Sequence, residues 1–297
     1  MQSRSSIEKA LAAAMAAIDE GRGPPKLAAA LRHAVFPGGA RIRPQLCLAV
    51  ADACGDDAPA LSMAAAAAVE LLHCASLVHD DLPCFDDAPT RRGRASVHRA
   101  FGERLAVLAG DGLIVLAFQT LGQGAAVAPQ RLAPLLATLA RGVGAPDGIT
   151  AGQAWECESQ VDLREYQRAK TGALFAAATM AGAQAAGAGA EAWRALGEWL
   201  GEAYQVADDI RDAGADPRWI GKPVGRDRAL GRPSVAVEQG LSGAVQHFDR
   251  LVAGAVAAIP PCPGAGALRA LVRHESERLV PLAWSSELLP SLARVAA

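Results

Sequence analysis

Ten stretches of this chain repeat their apolar residues every three to four positions, a spacing that builds one face of an α-helix. They run at about 6–20, 26–35, 42–54, 60–82, 103–123, 129–143, 163–187, 190–212, 241–259 and 265–279. Helix breakers stand between them, among them Pro24-Pro25, Pro37-Gly38-Gly39, Gly55-Asp56-Asp57, Ala145-Pro146-Asp147-Gly148 and Pro260-Pro261. β-branched runs of period two are nearly absent, and alanine, the strongest helix former, dominates the apolar half of the composition. The expectation is an all-α fold, a single large helical bundle. No fixed-period repeat or long polar linker divides the 297 residues, so one domain over 1–297 is expected.

Several function classes lose support at once. A formal charge of -2 offers no basic field for nucleic acid. The six cysteines (Cys47, Cys54, Cys74, Cys84, Cys157, Cys262) show no metal-finger spacing and read as small core residues in a reducing cytosol. The first twenty residues already carry Glu8, Asp19 and Glu20, unlike a signal peptide. Between Gly172 and Ala190 no charge occurs, but only Leu174, Phe175 and Met180 are large and apolar. That is weak for a membrane span and suits a helix crowded by other helices in a soluble, cytoplasmic protein.

Two acidic clusters carry the chemistry. Asp80-Asp81-Leu82-Pro83-Cys84-Phe85-Asp86-Asp87 ends one apolar helix, and Asp208-Asp209-Ile210-Arg211-Asp212 ends another. Asp208 and Asp212 share a helix face, whereas Asp80 and Asp86 need Pro83 to disturb the last turn before they can meet. Solvated helix ends would explain either cluster alone. Carboxylates at a helix C-terminus oppose the macrodipole, however, and two such ends point to bound Mg²⁺, which prefers oxygen ligands. Basic groups follow at Arg41, Arg43, Arg91, Arg92, Lys170 and Lys222, suited to gripping a diphosphate from the side away from the metal. An irregular, charged and glycine-rich stretch from Ala213 to Arg232 reads as a lid or functional loop.

The order of these motifs resembles the trans-isoprenyl diphosphate synthases. It runs from Gly38-Gly39-Ala40-Arg41-Ile42-Arg43-Pro44 through Ser76-Leu77-Val78-His79-Asp80-Asp81 with Asp86 to Arg91-Arg92-Gly93. It continues with Gly110-Asp111-Gly112-Leu113, Gly152-Gln153, Lys170-Thr171-Gly172, Tyr204-Gln205 with Asp208, Asp209 and Asp212, and Gly221-Lys222. The variants present look most like bacterial geranylgeranyl diphosphate synthases of carotenoid pathways.

The resemblance implies a helical bundle around a central active-site cavity, working as a homodimer. It implies Mg²⁺, three ions, on Asp80, Asp86 and Asp208, with Asp81, Asp209 and Asp212 in support. Arg91, Lys170 and Lys222 would bind the allylic diphosphate (dimethylallyl, geranyl or farnesyl). Arg43, His73 and Arg92 would bind isopentenyl diphosphate, and Thr171 and Gln205 would flank the carbocation. The chain departs from the family pattern at Tyr204, at Glu156, at Gly231-Arg232-Pro233-Ser234, and at Ala40, where a lysine is usual. Arg41 is the candidate to replace that lysine. Ala75, five residues before Asp80 and facing the same way as Leu71, stands where farnesyl-producing members carry an aromatic floor. An open floor favours a C20 product over C15. A terpene cyclase and a non-catalytic subunit of a heteromeric synthase remain as rivals.

Overall fold

The structure, a computed structural model, describes residues 4–19, 23–214 and 235–280. Its helices begin with α1 (Arg4–Ala14), α2 (Ala16–Asp19), α3 (Pro25–Val35), α4 (Ile42–Cys54) and α5 (Pro59–Asp80). Two-residue strands β1 (Thr90–Arg91) and β2 (Arg94–Ala95) pair antiparallel, followed by α6 (Val97–Phe101), α7 (Glu103–Gly124), α8 (Leu132–Val143) and α9 (Ile149–Ala154). The chain continues through α10 (Leu163–Gln167), α11 (Ala173–Ala185), α12 (Arg194–Gly214), α13 (Val235–Ala257) and α14 (Ala265–Leu279).

The fold is all-α, as the periodicity implied, and most long helices lie within a few residues of their expected spans; α13 starts at Val235 rather than at 241, ahead of a kink at Gly240. Differences have local causes. α6, α9 and the hairpin are too short to display a period. Met15 interrupts the first stretch, and a π-helical turn, Arg168–Gly172, divides the stretch expected at 163–187.

Two helices form the centre. α5 is buried on all sides along the alanine run from Ala64 to Ala68 and on through Leu72. α11 is the crowded helix expected from the uncharged stretch, packed against α4, α5, α8 and α12. Its small residues let backbones touch. A Cβ at Gly182 would collide with the carbonyl of Cys47 on α4, and one at Gly201 on α12 would lie 2.7 Å from the Cα of Gly172. Glycine is needed at both points because the neighbour is main chain and cannot swing aside.

Among the described residues, α5 and the α7 region (Glu103–Val127) are long and apolar enough to cross a membrane by length and composition. In α5 78% of the apolar window is buried inside the protein, against 39% in the α7 region. The cysteine expectation needs one correction. All six are free, and Cys47 and Cys74 are buried, but Cys84 and Cys157 are exposed: Cys84 sits in the turn past α5 and Cys157 at the end of the 3-10 turn past α9.

The glycine contacts give a stability test. Gly182→Leu should destabilise the protein by about 1–3 kcal/mol or more, because α4 and α11 must separate. Gly266→Ala, in a helix with open space around its Cβ, should be neutral or stabilising by about 0.5–1 kcal/mol. Urea unfolding of both variants checks the pair; equal midpoints would contradict the packing described.

Candidate active site

Pro83 lies just beyond α5 and cannot extend it, so the chain turns back. Asp86 N–H donates to the Asp80 carbonyl at 3.0 Å and Asp87 N–H to the Leu82 carbonyl at 3.1 Å. Asp86 thus returns to Asp80 across six positions, as the proline suggested.

Asp80 and Asp81, neighbours separated by about 100° around the helix, face different surroundings. The Asp80 carboxylate is met by Lys170 Nζ at 3.2 Å and Arg91 Nη2 at 3.4 Å. Asp81 is 2% exposed and accepts from Arg91 Nε at 2.9 Å and Nη2 at 2.5 Å. Burial raises its pKa against the pull of Arg91. The same division recurs on α12. Asp208 is half-exposed and takes Arg211 Nη2 at 2.6 Å, while Asp209 is 2% exposed. Asp209 accepts from Gln205 Nε2 at 3.2 Å and from the Val235 N–H at 2.9 Å, tying α12 to the start of α13.

Asp81 and Asp209, expected in support of the metal ligands, are turned inward, where they hold Arg91 and the start of α13. The Asp212 side chain, Lys222, and 215–234 with Gly231-Arg232-Pro233-Ser234 lie outside the described residues.

Lys170 and Thr171 occupy the π turn, a form often found at functional sites. It rests on Gly152 of α9, where any Cβ would collide with the Lys170 backbone; this is why glycine precedes Gln153. Lys170 Nζ spans Asp80 and Glu156 Oε1, the latter at 2.5 Å. Burial alone would lower the pKa of Lys170, but Asp80 and Glu156 outweigh it and raise it. Glu156 is itself fixed by Tyr166 Oη at 2.6 Å and Gln153 Nε2 at 2.9 Å. Thr171 Oγ1 donates to Gln205 Oε1 at 3.3 Å. Consecutive residues of one turn thus reach α5 and α12, linking the two helices that carry the aspartate clusters.

A second group lies beside it. The β1–β2 loop, Arg92-Gly93, has φ of 54° and 75°, the positive pair a type I′ turn needs. This accounts for the glycine after the two arginines. Arg43 Nη1 is 3.4 Å from His73 Nε2, and its guanidinium lies 4.3 Å from the centre of the Phe175 ring. Arginine only donates, so His73 accepts and its ring is neutral. Burial, then Arg43, Arg92, Arg91 and Arg41, push the His73 pKa well below 6.5. Arg43 Nε and Arg92 Nη1 are buried without a hydrogen-bond partner. Such orphaned cationic donors call for an anion.

Arg41 does not belong to this pocket. Its φ of 54° turns the side chain inward, where it is fully buried. Nε and Nη2 meet Glu8 at 2.9 and 3.2 Å, Nη1 meets Glu70 at 2.5 Å, and Nη2 meets the Val35 carbonyl at 2.8 Å. With all three nitrogens engaged, Arg41 cannot stand in for the lysine absent at Ala40.

Two contributors escaped the sequence reading of the site. Glu156 registered only as a departure from pattern. Glu70 carried a usable signal, a lone carboxylate in an otherwise apolar run from Ala64 to Leu72. Ala75 and Leu71 are 1% and 0% exposed, one turn apart on α5.

Comparisons with known proteins agree with this geometry. A family model described as Polyprenyl synthetase matches residues 24–253, a span that holds both aspartate clusters and the arginine pocket. The chain is 57% identical over 275 residues to the geranylgeranyl diphosphate synthase of Cereibacter sphaeroides, covering 93% of this chain and 96% of that protein. It is 51% identical over 281 residues to the Rhodobacter capsulatus enzyme of the same name, covering 95% and 97%. Among solved structures it is similar to the geranylgeranyl pyrophosphate synthetase of Pyrococcus horikoshii. The TM-score there is 0.77, with 28% identity over 92% of this chain and 95% of that one. Motif order, helical architecture and these matches lead to one conclusion: the chain belongs to the polyprenyl synthetase family.

Proposed function

We propose that this protein is a prenyltransferase that condenses isopentenyl diphosphate with dimethylallyl, geranyl or farnesyl diphosphate and releases geranylgeranyl diphosphate. One observation carries the reading: in addition to the aspartate clusters, Arg43 Nε and Arg92 Nη1 are buried guanidinium nitrogens without a hydrogen-bond partner. A terpene cyclase needs one diphosphate site; a condensing enzyme needs two. The names of the two bacterial relatives support the C20 product.

Both aspartate clusters offer carboxylate oxygens, the donors a hard divalent cation prefers, although among the described residues no three acidic side chains are already gathered as a ligand group. Asp80, Asp86 and Asp208 would hold Mg²⁺, three ions in all, which when bound stabilises negative charge gathering on a departing diphosphate. Lys170 and Arg91 leave Asp80 to grip the allylic diphosphate, with Lys222 as a third cation. Arg43, His73 and Arg92 hold isopentenyl diphosphate and so satisfy the orphaned donors. The allylic C–O bond then breaks, and the Thr171 and Gln205 oxygens stand beside the cation. The isopentenyl double bond attacks it, a new C–C bond forms, and the departed diphosphate takes the proton.

Ala75 above Leu71 forms an open floor for the growing chain. The enzyme acts as one cytoplasmic domain paired into a homodimer. α7 supports the pairing: Leu108 and Val115, two turns apart on one face, are 52% and 56% exposed.

Purified protein given labelled isopentenyl and farnesyl diphosphates should make a C20 product with Mg²⁺ and none with EDTA. Ala75→Phe should shift the product towards C15. A wild-type C15 product would sink the floor argument, and a hydrocarbon made without isopentenyl diphosphate would favour a cyclase. Leu108→Glu with Val115→Glu should turn a dimer into a monomer in sedimentation velocity. A wild-type monomer would refute the pairing.

A further inference from the structure

Glu70 is 1% exposed and lies beneath the arginine–histidine pocket. Arg41 Nη1 donates to its Oε1 at 2.5 Å, and Arg92 Nη2 stands 3.7 Å from the same oxygen. Behind Arg41, Glu8 of α1 takes Nε at 2.9 Å. Gly38 and Gly39 leave room for both arginines. A Cβ at Gly38 would strike the Arg41 guanidinium, and one at Gly39 would come within 3.1 Å of Arg92 Nε. The consecutive glycines thus admit two cations converging on one buried carboxylate.

A guanidinium is a rigid planar fork, so fixing one arm fixes the direction of the others. On Arg92, Nη2 faces Glu70 while Nη1 is buried without a partner. We propose that Glu70 is a positioning residue for the isopentenyl diphosphate site: it anchors Arg92 by Nη2 and leaves Nη1 for the substrate. Arg41 is the second cation on this buried carboxylate, and Glu8 holds Arg41 in turn. A buried carboxylate with one partner removed would be costly, which accounts for an arginine that never meets substrate. The role rests on the assignment of Arg43, His73 and Arg92 to isopentenyl diphosphate.

Steady-state kinetics of the full chain with Mg²⁺, farnesyl diphosphate and isopentenyl diphosphate test it. Glu70→Gln should raise KM for isopentenyl diphosphate on the order of tenfold, because the buried charge that faces Arg92 is removed, with KM for the allylic substrate little changed. Glu70→Asp keeps the charge but shortens the reach, and should raise the same KM by less. Should Glu70→Gln fail to fold, Glu70→Asp carries the test. An unchanged or lower KM for isopentenyl diphosphate in the Glu70 variants, alongside a raised one in Arg92→Gln, would reduce Glu70 to a counter-charge and overturn the proposal. If Arg92→Gln itself leaves that KM unchanged, the site assignment fails instead.

Discussion

A carboxylate at the C-terminal end of a helix faces the negative pole of the macrodipole, and this chain places several at the ends of α5 and α12. That conflict organises the site. Asp80 is compensated by Lys170 and Arg91, and Asp208 by Arg211, so each outward aspartate carries a basic partner. Those partners come from separate elements: the β1–β2 hairpin, the π turn and α12. Each element has a local device that aims its cation, whether a positive-φ pair, a π turn resting on Gly152, or a helical i,i+3 pair.

Adjacent aspartates divide the labour in both clusters. A helix turns about 100° per residue, so of two neighbours only one can face the cavity. Asp80 and Asp208 are the more exposed of each pair; Asp81 and Asp209 face inward and hold the hairpin arginine and the start of α13. The second carboxylate of each pair is a strut for the first. The arginines follow the same logic: Arg43 and Arg92 each keep a buried nitrogen without a partner, while Arg41 is spent inside, bound to Glu8 and Glu70.

How much of this was legible in the sequence depended on how local the cause was. The long helices followed from periodicity, and the return of Asp86 to Asp80 followed from Pro83, because both are decided within a few residues. The inward turn of Arg41 did not, since it hangs on one left-handed backbone angle and on two acids far away, Glu8 and Glu70. The π turn at Lys170 was also invisible, because one extra residue per turn leaves the apolar pattern nearly intact. Glu70 could have been found, as a solitary charge in a buried alanine run demands a partner. The loop 215–234 and Lys222 lie outside the described residues.

The central claim is that the ends of α5 and α12 act as one divalent-cation centre for a diphosphate. Isothermal titration of inorganic pyrophosphate into the protein, with and without Mg²⁺, tests it on wild type, Asp80→Asn and Asp208→Asn. The account predicts Mg²⁺-dependent binding in the wild type and a loss of about tenfold or more in affinity, about 1.4 kcal/mol, in either variant alone. Wild-type affinity retained by either one would contradict it, because the two helix ends would then work independently.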